Sequence, residues 1–218
     1  MDKNGDRGQK TTGVFSPAFY HAFRRMFLPI SRLLRMAHIT PNMVTVFSLI
    51  LMACVGVLLS LDRLWIALPL GIIACIMDII DGQLAKEFGV ITKFGGILDS
   101  SIDRYSDFFM FAGFGVRYYF LGRPLWILAC ASGFLGTVMI SYVKARAESD
   151  GFGCKVGRLQ RPERVSLLGI GTLINCLGFN FGIDSVILFL AVGTHLTALY
   201  RLRHVYRQTL LHHDEMQP

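Results

Sequence analysis

The sequence predicts an all-α integral membrane protein, in which six transmembrane helices follow an N-terminal amphipathic interfacial helix. Only 17% of the 218 residues are charged, against about 25% in a typical soluble domain. The mean hydropathy is also positive. A bilayer span needs roughly 20 mostly apolar residues. Five stretches with almost no charge contribute to such spans: Met43–Leu61, Leu64–Met77, Pro124–Val143, Val165–Ile183 and Ser185–Tyr200.

A polar segment and an amphipathic segment precede the first apolar stretch. Residues 1–16 are polar and are expected to form a tail. Between residues 17 and 40, apolar side chains recur at helical spacing, and the basic side chains fall on one face: Arg24, Arg25, Arg32 and Arg35. This pattern is typical of a juxtamembrane helix lying in the membrane interface. A helix packed on a partner domain is the alternative.

The six predicted spans cover residues 42–61, 64–86, 95–118, 124–147, 163–183 and 185–206. The third span differs from the others because four charged residues interrupt it: Asp99, Asp103, Arg104 and Asp107. We retain it because Phe108–Gly115 is apolar and because its removal would leave an odd number of spans. The chain is thus divided into a polar tail 1–16, a juxtamembrane helix 17–40, a six-helix domain 41–206 and a polar tail 207–218.

The basic residues are distributed unequally between the two sides of the membrane. With six spans, 18 of the 22 Lys and Arg residues lie on the side that holds both termini. The positive-inside rule therefore predicts cytoplasmic termini. The net charge of +7 does not indicate nucleic-acid binding, because the basic residues lie beside apolar spans. Anionic membrane lipids or phosphorylated substrates are the expected partners.

Four aspartates are placed so that they can converge. Asp78 and Asp81 are three residues apart, and Asp99 and Asp103 are four apart, so each pair projects from one face of its helix. The two helices are antiparallel and are joined by a short cytoplasmic loop. We therefore expect all four carboxylates at similar depth, close to the cytoplasmic surface.

Four bare carboxylates are costly in a bilayer because of desolvation and mutual repulsion. Divalent cations remove that conflict, and a set of oxygen ligands suits Mg²⁺ or Mn²⁺. Two such ions a few ångströms apart clamp phosphoryl groups. Gly82 and Gly95 lack side chains where a ligand would approach the backbone. The alternatives are a proton or ion relay and a purely structural ion-pair cluster.

The aspartate motif reads DxxDGxxAK from Asp78 to Lys86, then eight residues, then GxxxDxxxD from Gly95 to Asp103. It resembles the signature of the CDP-alcohol phosphotransferase family, whose members are membrane enzymes with six transmembrane helices. The family transfers a phosphate-linked group from a CDP-alcohol, commonly CDP-diacylglycerol, to a second alcohol and releases CMP. The resemblance implies two divalent metals bound by Asp78, Asp81, Asp99 and Asp103. It also implies that Asp103 is the general base.

The resemblance extends to the expected nucleotide site. Pro41-Asn42-Met-Val-Thr45 is similar to the PNxxT element of the family. Lys86 departs from the pattern, since the family usually has arginine there; lysine keeps the charge but loses the planar fork. The residues implied to face the CDP group are Asn42, Thr45, Asp81, Gly82, Ala85, Lys86 and Gly95.

A second basic cluster indicates the acceptor. Lys144, Arg164 and Arg201 lie at the cytoplasmic ends of three predicted spans, where they can converge on a phosphate. The alternative is charge that only follows the positive-inside bias. The sequences SYVKARAE and RPER resemble those of prokaryotic phosphatidylinositol phosphate synthases. This resemblance implies an inositol phosphate acceptor, with glycerol phosphate, as in phosphatidylglycerophosphate synthases, as the competitor. A homodimer in the inner membrane of a prokaryote is implied in the same way.

Two further residues receive structural interpretations. We expect Asp107 to pair with Arg104, three residues earlier, and His195 to be a hydrogen-bonded structural histidine. Two other functional classes remain as alternatives. Membrane prenyltransferases also place aspartate motifs around Mg²⁺, but they release pyrophosphate instead of CMP. A cation transporter would tend to show internal repeats or helices broken mid-membrane.

Overall fold

The computed structural model describes residues 17–87, 89–154 and 156–214. The predicted tail 1–16 and the last four residues of the predicted tail 207–218 lie outside this part of the chain, as do the side chains of Arg24 and Arg25. Within it, the chain forms seven helices and no strand: α1 Pro17–Met36, α2 Pro41–Ser60, α3 Leu64–Glu87, α4 Lys93–Phe120, α5 Pro124–Ser149, α6 Arg161–Cys176 and α7 Gly182–Asp214.

Four of these helices are long and apolar enough to cross a bilayer, namely α2, α3, α5 and α7. The chain is therefore a multi-pass membrane protein. Two expected boundaries were wrong. Helix α6 ends at Cys176 instead of residue 183, because Leu177 caps it and Gly178 adopts a φ of 96°. Helix α7 continues to Asp214 instead of ending near residue 206, so residues 207–214 of the predicted polar tail are helical.

The six helices after α1 form a closed ring. Neighbouring helices pack in the order α2, α4, α5, α7, α6 and α3, and α3 returns to α2. Helix α1 packs on α3. The core of the ring is apolar and includes Phe111, Phe114, Ile187 and Leu190, all buried. The ring brings the N-terminal end of α6 beside α3, which carries the first aspartate pair.

Helices α2 and α4 touch through their backbones. A Cβ atom on Gly56 would lie 2.6 Å from the Phe109 carbonyl oxygen, and one on Gly113 would lie 2.5 Å from the Gly56 carbonyl oxygen. Only glycine fits at such a crossing, because these contacts are shorter than any real Cβ contact. This crossing sets the position of α4, and therefore of Asp99 and Asp103, relative to α2.

Polar contacts join the helices at the end of the ring opposite the aspartates. The Tyr118 hydroxyl donates to Asp184 Oδ1 at 2.6 Å. Arg123 pairs with Asp184 Oδ2 at 2.8 Å and stacks 4.6 Å from the Trp126 ring centroid. Because these residues belong to α4, α7 and the start of α5, their contacts join these three helices at this end.

His195 has the structural role expected of it. On α7, its Nε2 lies 3.2 Å from the Ser132 hydroxyl and 3.1 Å from the Ser132 carbonyl oxygen on α5. The prediction of a hydrogen-bonded structural histidine is confirmed.

Candidate active site

A cluster of carboxylates lies where the C-terminal turns of α3 meet the N-terminal half of α4. Oxygen atoms of Asp78, Asp99 and Asp103 lie within 4.8 Å of one another. The side chain of Thr92 caps α4 by accepting a hydrogen bond from the Gly95 N–H at 2.9 Å. This cap starts α4 at Lys93, six residues before Asp99, and the loop between α3 and α4 is short enough to bring Asp78 close to Asp99 and Asp103.

Asp81 faces a different neighbour from the other three aspartates. Its side chain is 4% exposed and lies beside Thr45 of α2. Its Oδ2 atom has no hydrogen-bond partner among the described residues. The structure thus brings three aspartates into one cluster and leaves Asp81 at its edge, toward α2.

Arg161, at the start of α6, contacts the carboxylate cluster from the side away from α2. Its Nη1 atom pairs with Asp78 and lies 2.6 Å from Asp103 Oδ1. Sequence reasoning assigned Arg161 no role. The RPER motif could have indicated this pairing, because its Arg161 and Arg164 are three residues apart on one helix face. Asp103 and Asp107 are four residues apart on α4, so the two basic and the two acidic side chains can face each other in pairs.

A second ion pair lies one helical turn further along. Arg164 Nη2 donates to Asp107 Oδ2 at 3.0 Å, and both side chains are 4% exposed. The expected pairing of Asp107 with Arg104 was wrong. Arg104 turns instead toward the Ser100 carbonyl oxygen and lies 3.8 Å from Asp103. Because Arg164 reaches Asp107 from α6, the pair joins α6 to α4, which are not adjacent in the ring.

The residues expected at the nucleotide site lie along the ends of α2, α3 and α4. A Cβ on Gly95 would lie 3.3 Å from Asn42 Oδ1, so the Asn42 side chain lies against the start of α4. A Cβ on Gly82 would meet no atom of the described residues within 4 Å. Packing inside this chain therefore does not require Gly82, and the free space beside it suits a ligand. Ala85 is half-buried, and Lys86 is exposed.

The three cations expected at the acceptor site lie in one region, but all three already have protein partners. Arg201 donates to the carbonyl oxygens of Val156 at 2.7 Å and Ile140 at 2.8 Å. Arg164 also donates to the Leu159 carbonyl oxygen at 3.0 Å. The Arg164 and Arg201 side chains are both buried, on the neighbouring helices α6 and α7. Lys144 is 44% exposed and lies 3.9 Å from Glu148.

Several buried polar atoms at this end have no hydrogen-bond partner within the described part of the chain. On the acidic side they are Asp78 Oδ1 and Asp81 Oδ2, and on the basic side Arg161 Nε and Arg164 Nε. Buried polar atoms normally have partners. Unused carboxylate oxygens are hard ligands that fit Mg²⁺ or Mn²⁺, so these residues fit divalent metals.

An apolar groove begins beside the carboxylates. It has a volume of about 680 Å³ and is lined mainly by apolar residues of α2, α3, α4 and α6, with Phe27 of α1 at its edge. Cys75 and Ile79 in its wall lie within one turn of Asp78 on α3. The site thus combines a cluster of oxygen ligands with an adjoining surface suited to hydrocarbon chains.

Comparison with known families agrees with this geometry. A family model described as CDP-alcohol phosphatidyltransferase matches residues 38–199, well over half of the chain. The chain therefore belongs to the CDP-alcohol phosphatidyltransferase family.

Within that family, the chain is similar to one group of enzymes. It is 34% identical over 180 residues to the phosphatidylinositol phosphate synthase of Corynebacterium glutamicum, covering 80% of this chain and 81% of that protein. It is 36% identical over 132 residues to the archaetidylinositol phosphate synthase of Methanothermobacter thermautotrophicus, covering 61% of this chain and 65% of that protein.

Solved structures of the same group share the fold. The crystal structure of Mycobacterium tuberculosis phosphatidylinositol phosphate synthase with CDP-DAG bound has a TM-score of 0.78 and 28% identity, over 84% of this chain and 94% of that one. The same enzyme in complex with manganese and citrate has a TM-score of 0.76 and 29% identity, over 82% of this chain and 88% of that one.

Proposed function

We propose that this chain transfers the phosphatidyl group of CDP-diacylglycerol to a hydroxyl of inositol phosphate, forming phosphatidylinositol phosphate and releasing CMP. The observation that carries the proposal is the cluster of Asp78, Asp99 and Asp103 beside an apolar groove in a member of this family. The similarity to phosphatidylinositol phosphate synthases supports the choice of acceptor. Glycerol phosphate is the competing acceptor.

The metal ligands of the proposed site are Asp78, Asp81, Asp99 and Asp103. When bound, two ions of Mg²⁺ or Mn²⁺ supply positive charge that neutralises the diphosphate and acidifies the acceptor hydroxyl. The manganese complex of the mycobacterial enzyme supports this choice of metal.

Asp103 is the proposed general base. The acceptor hydroxyl oxygen forms a bond to the phosphorus that carries the diacylglycerol, and the bond from that phosphorus to the oxygen shared with CMP breaks. The hydroxyl proton passes to an Asp103 carboxylate oxygen. CMP leaves with the electron pair of the broken bond.

The donor would lie across two surfaces of the site. We place the CDP group against Asn42, Thr45, Asp81 and the segment Gly82–Lys86, with Gly95 opposite, where the free space beside Gly82 supports close approach. The Lys86 ammonium adds positive charge near the diphosphate. One acyl chain lies in the apolar groove. The CDP-DAG complex of the mycobacterial enzyme supports this donor.

Lys144, Arg164 and Arg201 form the proposed site for the acceptor phosphate. The buried Arg164 Nε atom, without a partner among the described residues, supports a ligand there. An acceptor without a phosphate would not need two buried arginines on neighbouring helices.

The proposal includes an arrangement in the membrane. Helices α2–α7 cross the bilayer as a six-helix domain over residues 41–206, with α1 in the interface and both termini in the cytoplasm. The closed ring supports six spans, because it holds α4 and α6 among four apolar helices. The enzyme lies in the inner membrane of a prokaryote as a homodimer.

An acceptor panel tests the proposal. Purified protein with labelled CDP-diacylglycerol and Mg²⁺ or Mn²⁺ receives inositol phosphate, glycerol phosphate, free inositol or serine in separate reactions. We expect release of CMP and a lipid product with inositol phosphate. A product with glycerol phosphate alone would change the acceptor, and release of pyrophosphate would place the chain in another reaction class.

A further inference from the structure

Arg161 occupies a position that a divalent cation would also need. Its Nη1 atom pairs with Asp78 Oδ2 and with Asp103 Oδ1. Both aspartates belong to the cluster whose oxygens lie within 4.8 Å of one another. The contact with Asp78 is a charge-assisted hydrogen bond, and the contact with Asp103 is an ion pair. Arg161 therefore stabilises the cluster by the same attraction that a metal ion would provide.

Both cations cannot use these oxygens fully at once. A guanidinium and a divalent ion that share two carboxylates would repel each other at short range. The carboxylates also cannot supply full metal coordination while an Arg161 N–H points at them. The Arg161 side chain is 20% exposed, so an outward path is open to it. Its Nε atom is buried without a hydrogen-bond partner within the described residues, so leaving breaks no bond at that atom.

The local backbone of α6 permits such a movement. Arg161 is the first residue of the helix, and within the described part of the chain its N-cap residue, Gln160, makes no side-chain cap hydrogen bond. The neighbouring Arg164 is fixed by Asp107 and by the Leu159 carbonyl oxygen. These contacts hold the start of the helix independently of the Arg161 side chain.

We propose that Arg161 is a built-in counter-ion that competes with divalent cations for Asp78 and Asp103, so that a bound metal displaces its guanidinium. The inference rests on the metal site of the proposed function. It makes Arg161 a positioning residue, since it acts through the carboxylates. A displaced guanidinium remains close to the cluster, where it can bind an anionic oxygen of a phosphate.

Mn²⁺ binding tests the competition without any turnover. The full chain in detergent is titrated with Mn²⁺, and free Mn²⁺ is measured by electron paramagnetic resonance. In Arg161→Gln we expect the Mn²⁺ Kd to fall roughly tenfold to a hundredfold, the range that one hydrogen bond to a charged group supplies. In EDTA the Tm of this variant should be lower than that of the wild type, and saturating Mn²⁺ should remove most of the difference. A merely structural role would lower the Tm equally with and without Mn²⁺.

Arg158→Gln is the matched control, because it removes the same charge from an exposed position three residues earlier. Its Mn²⁺ Kd should stay within about twofold of the wild-type value, since that change is far below the effect of a hydrogen bond to a charged group. Arg161→Lys keeps the charge on a shorter side chain, whose ammonium does not reach as far as the Arg161 Nη1 atom that contacts both carboxylates. Its Mn²⁺ Kd should therefore lie between those of Arg161→Gln and the wild type. If the glutamine variant does not fold, the Mn²⁺ Kd of Arg161→Lys tests the competition instead.

Two negative results have different meanings. If the wild type binds Mn²⁺ and the Arg161 variants bind it equally or more weakly, the counter-ion inference is overturned and the metal site stands. If the wild type does not bind Mn²⁺, the metal site of the proposed function fails, and the inference fails with it.

Discussion

At the scale of single residues, Asp103 meets two demands in the proposed reaction, since it belongs to the metal cluster and accepts the hydroxyl proton. We predict that Asp103→Asn lowers kcat by about 10²–10⁴-fold, the usual contribution of a general base. The variant should still fold and bind CDP-diacylglycerol, because Asp78 and Asp99 remain in the cluster. The measurement is CMP release beside donor binding. Retention of more than about a tenth of wild-type activity would contradict the assignment of the base.

Lys86 provides a test of the donor side. Because its side chain is exposed, substitution should leave the Tm unchanged. We predict that Lys86→Ala raises the donor KM by about tenfold, at the low end for hydrogen bonds to a charged group, and leaves the acceptor KM nearly unchanged. Lys86→Arg should be tolerated and should tighten donor binding through its planar fork. Equal changes in both KM values would move Lys86 out of the nucleotide site.

Arg164 has a structural partner as well as a proposed substrate, and a double variant separates the two roles. Arg164→Ala alone leaves Asp107 buried without its counter-ion, a change that typically costs about 3–5 kcal/mol. Adding Asp107→Asn removes the lone charge and should restore much of the Tm. We predict that the acceptor KM of the double variant nevertheless stays raised by tens-fold.

The Asp107→Asn single variant is the control for that measurement. It keeps the Arg164 guanidinium and should therefore keep an acceptor KM near the wild-type value. An acceptor KM that recovers together with the Tm in the double variant would show that Arg164 is structural only.

Single residues also show how far sequence reasoning reached. The approach of Asp78, Asp99 and Asp103 was predictable, because helical spacing and a short loop leave little freedom. The partners of Arg161 and Arg164 were not, because they lie on helices more than 50 residues away in sequence. Asp107 shows the resulting error. Local spacing favoured Arg104 as its partner, but a buried carboxylate is stabilised more by an ion pair with the equally buried Arg164.

At the scale of helices, apolar composition predicted where spans lie better than where they end. The run Val165–Ile183 contains no charge, so composition did not reveal the turn after Cys176. That turn depends on Gly178, which adopts a positive φ. Backbone conformation of this kind is not visible in apolar composition. Helix α4 was predicted despite its charges, from its apolar second half and the need for an even number of spans.

The crossing of α2 and α4 leads to a prediction about packing. We expect Gly56→Ala to destabilise the protein by about 1–3 kcal/mol, the usual range for overpacking, because the added Cβ meets the Phe109 carbonyl oxygen at 2.6 Å. A shift of α4 would also move Asp99 and Asp103, so the Mn²⁺ Kd should rise. Tm and Mn²⁺ titration are the measurements.

Gly71→Ala is the matched control on α3, since its Cβ would make only ordinary contacts with Val55 at 3.9 Å. It should change neither the Tm nor the Mn²⁺ Kd appreciably. If Gly56→Ala behaves like Gly71→Ala, the α2–α4 crossing tolerates a wider separation and does not set the geometry of the site.

At the scale of the whole molecule, the sequence did not predict the order of the helices in the ring. Hydropathy assigns helices to the bilayer, but it does not say which helices are neighbours, because lipid and apolar side chains are similar solvents for an apolar helix face. In the structure, α6 completes the ring between α3 and α7. This closure brings Arg161 to the carboxylates and also forms the fourth wall of the apolar groove.

The acyl-chain site proposed in the groove lined by α3 and α6 implies that the donor reaches the enzyme from within the bilayer. A lipid that enters sideways from the leaflet never passes through water, so encounters occur in two dimensions. At a fixed total amount of CDP-diacylglycerol, adding inert phosphatidylcholine to mixed micelles should therefore lower the rate in proportion to the mole fraction of donor. The soluble acceptor should keep its KM in bulk molar units. A rate that follows bulk donor concentration regardless of added lipid would argue for capture from water. Surface dilution would thus make turnover depend on the composition of the membrane around the enzyme.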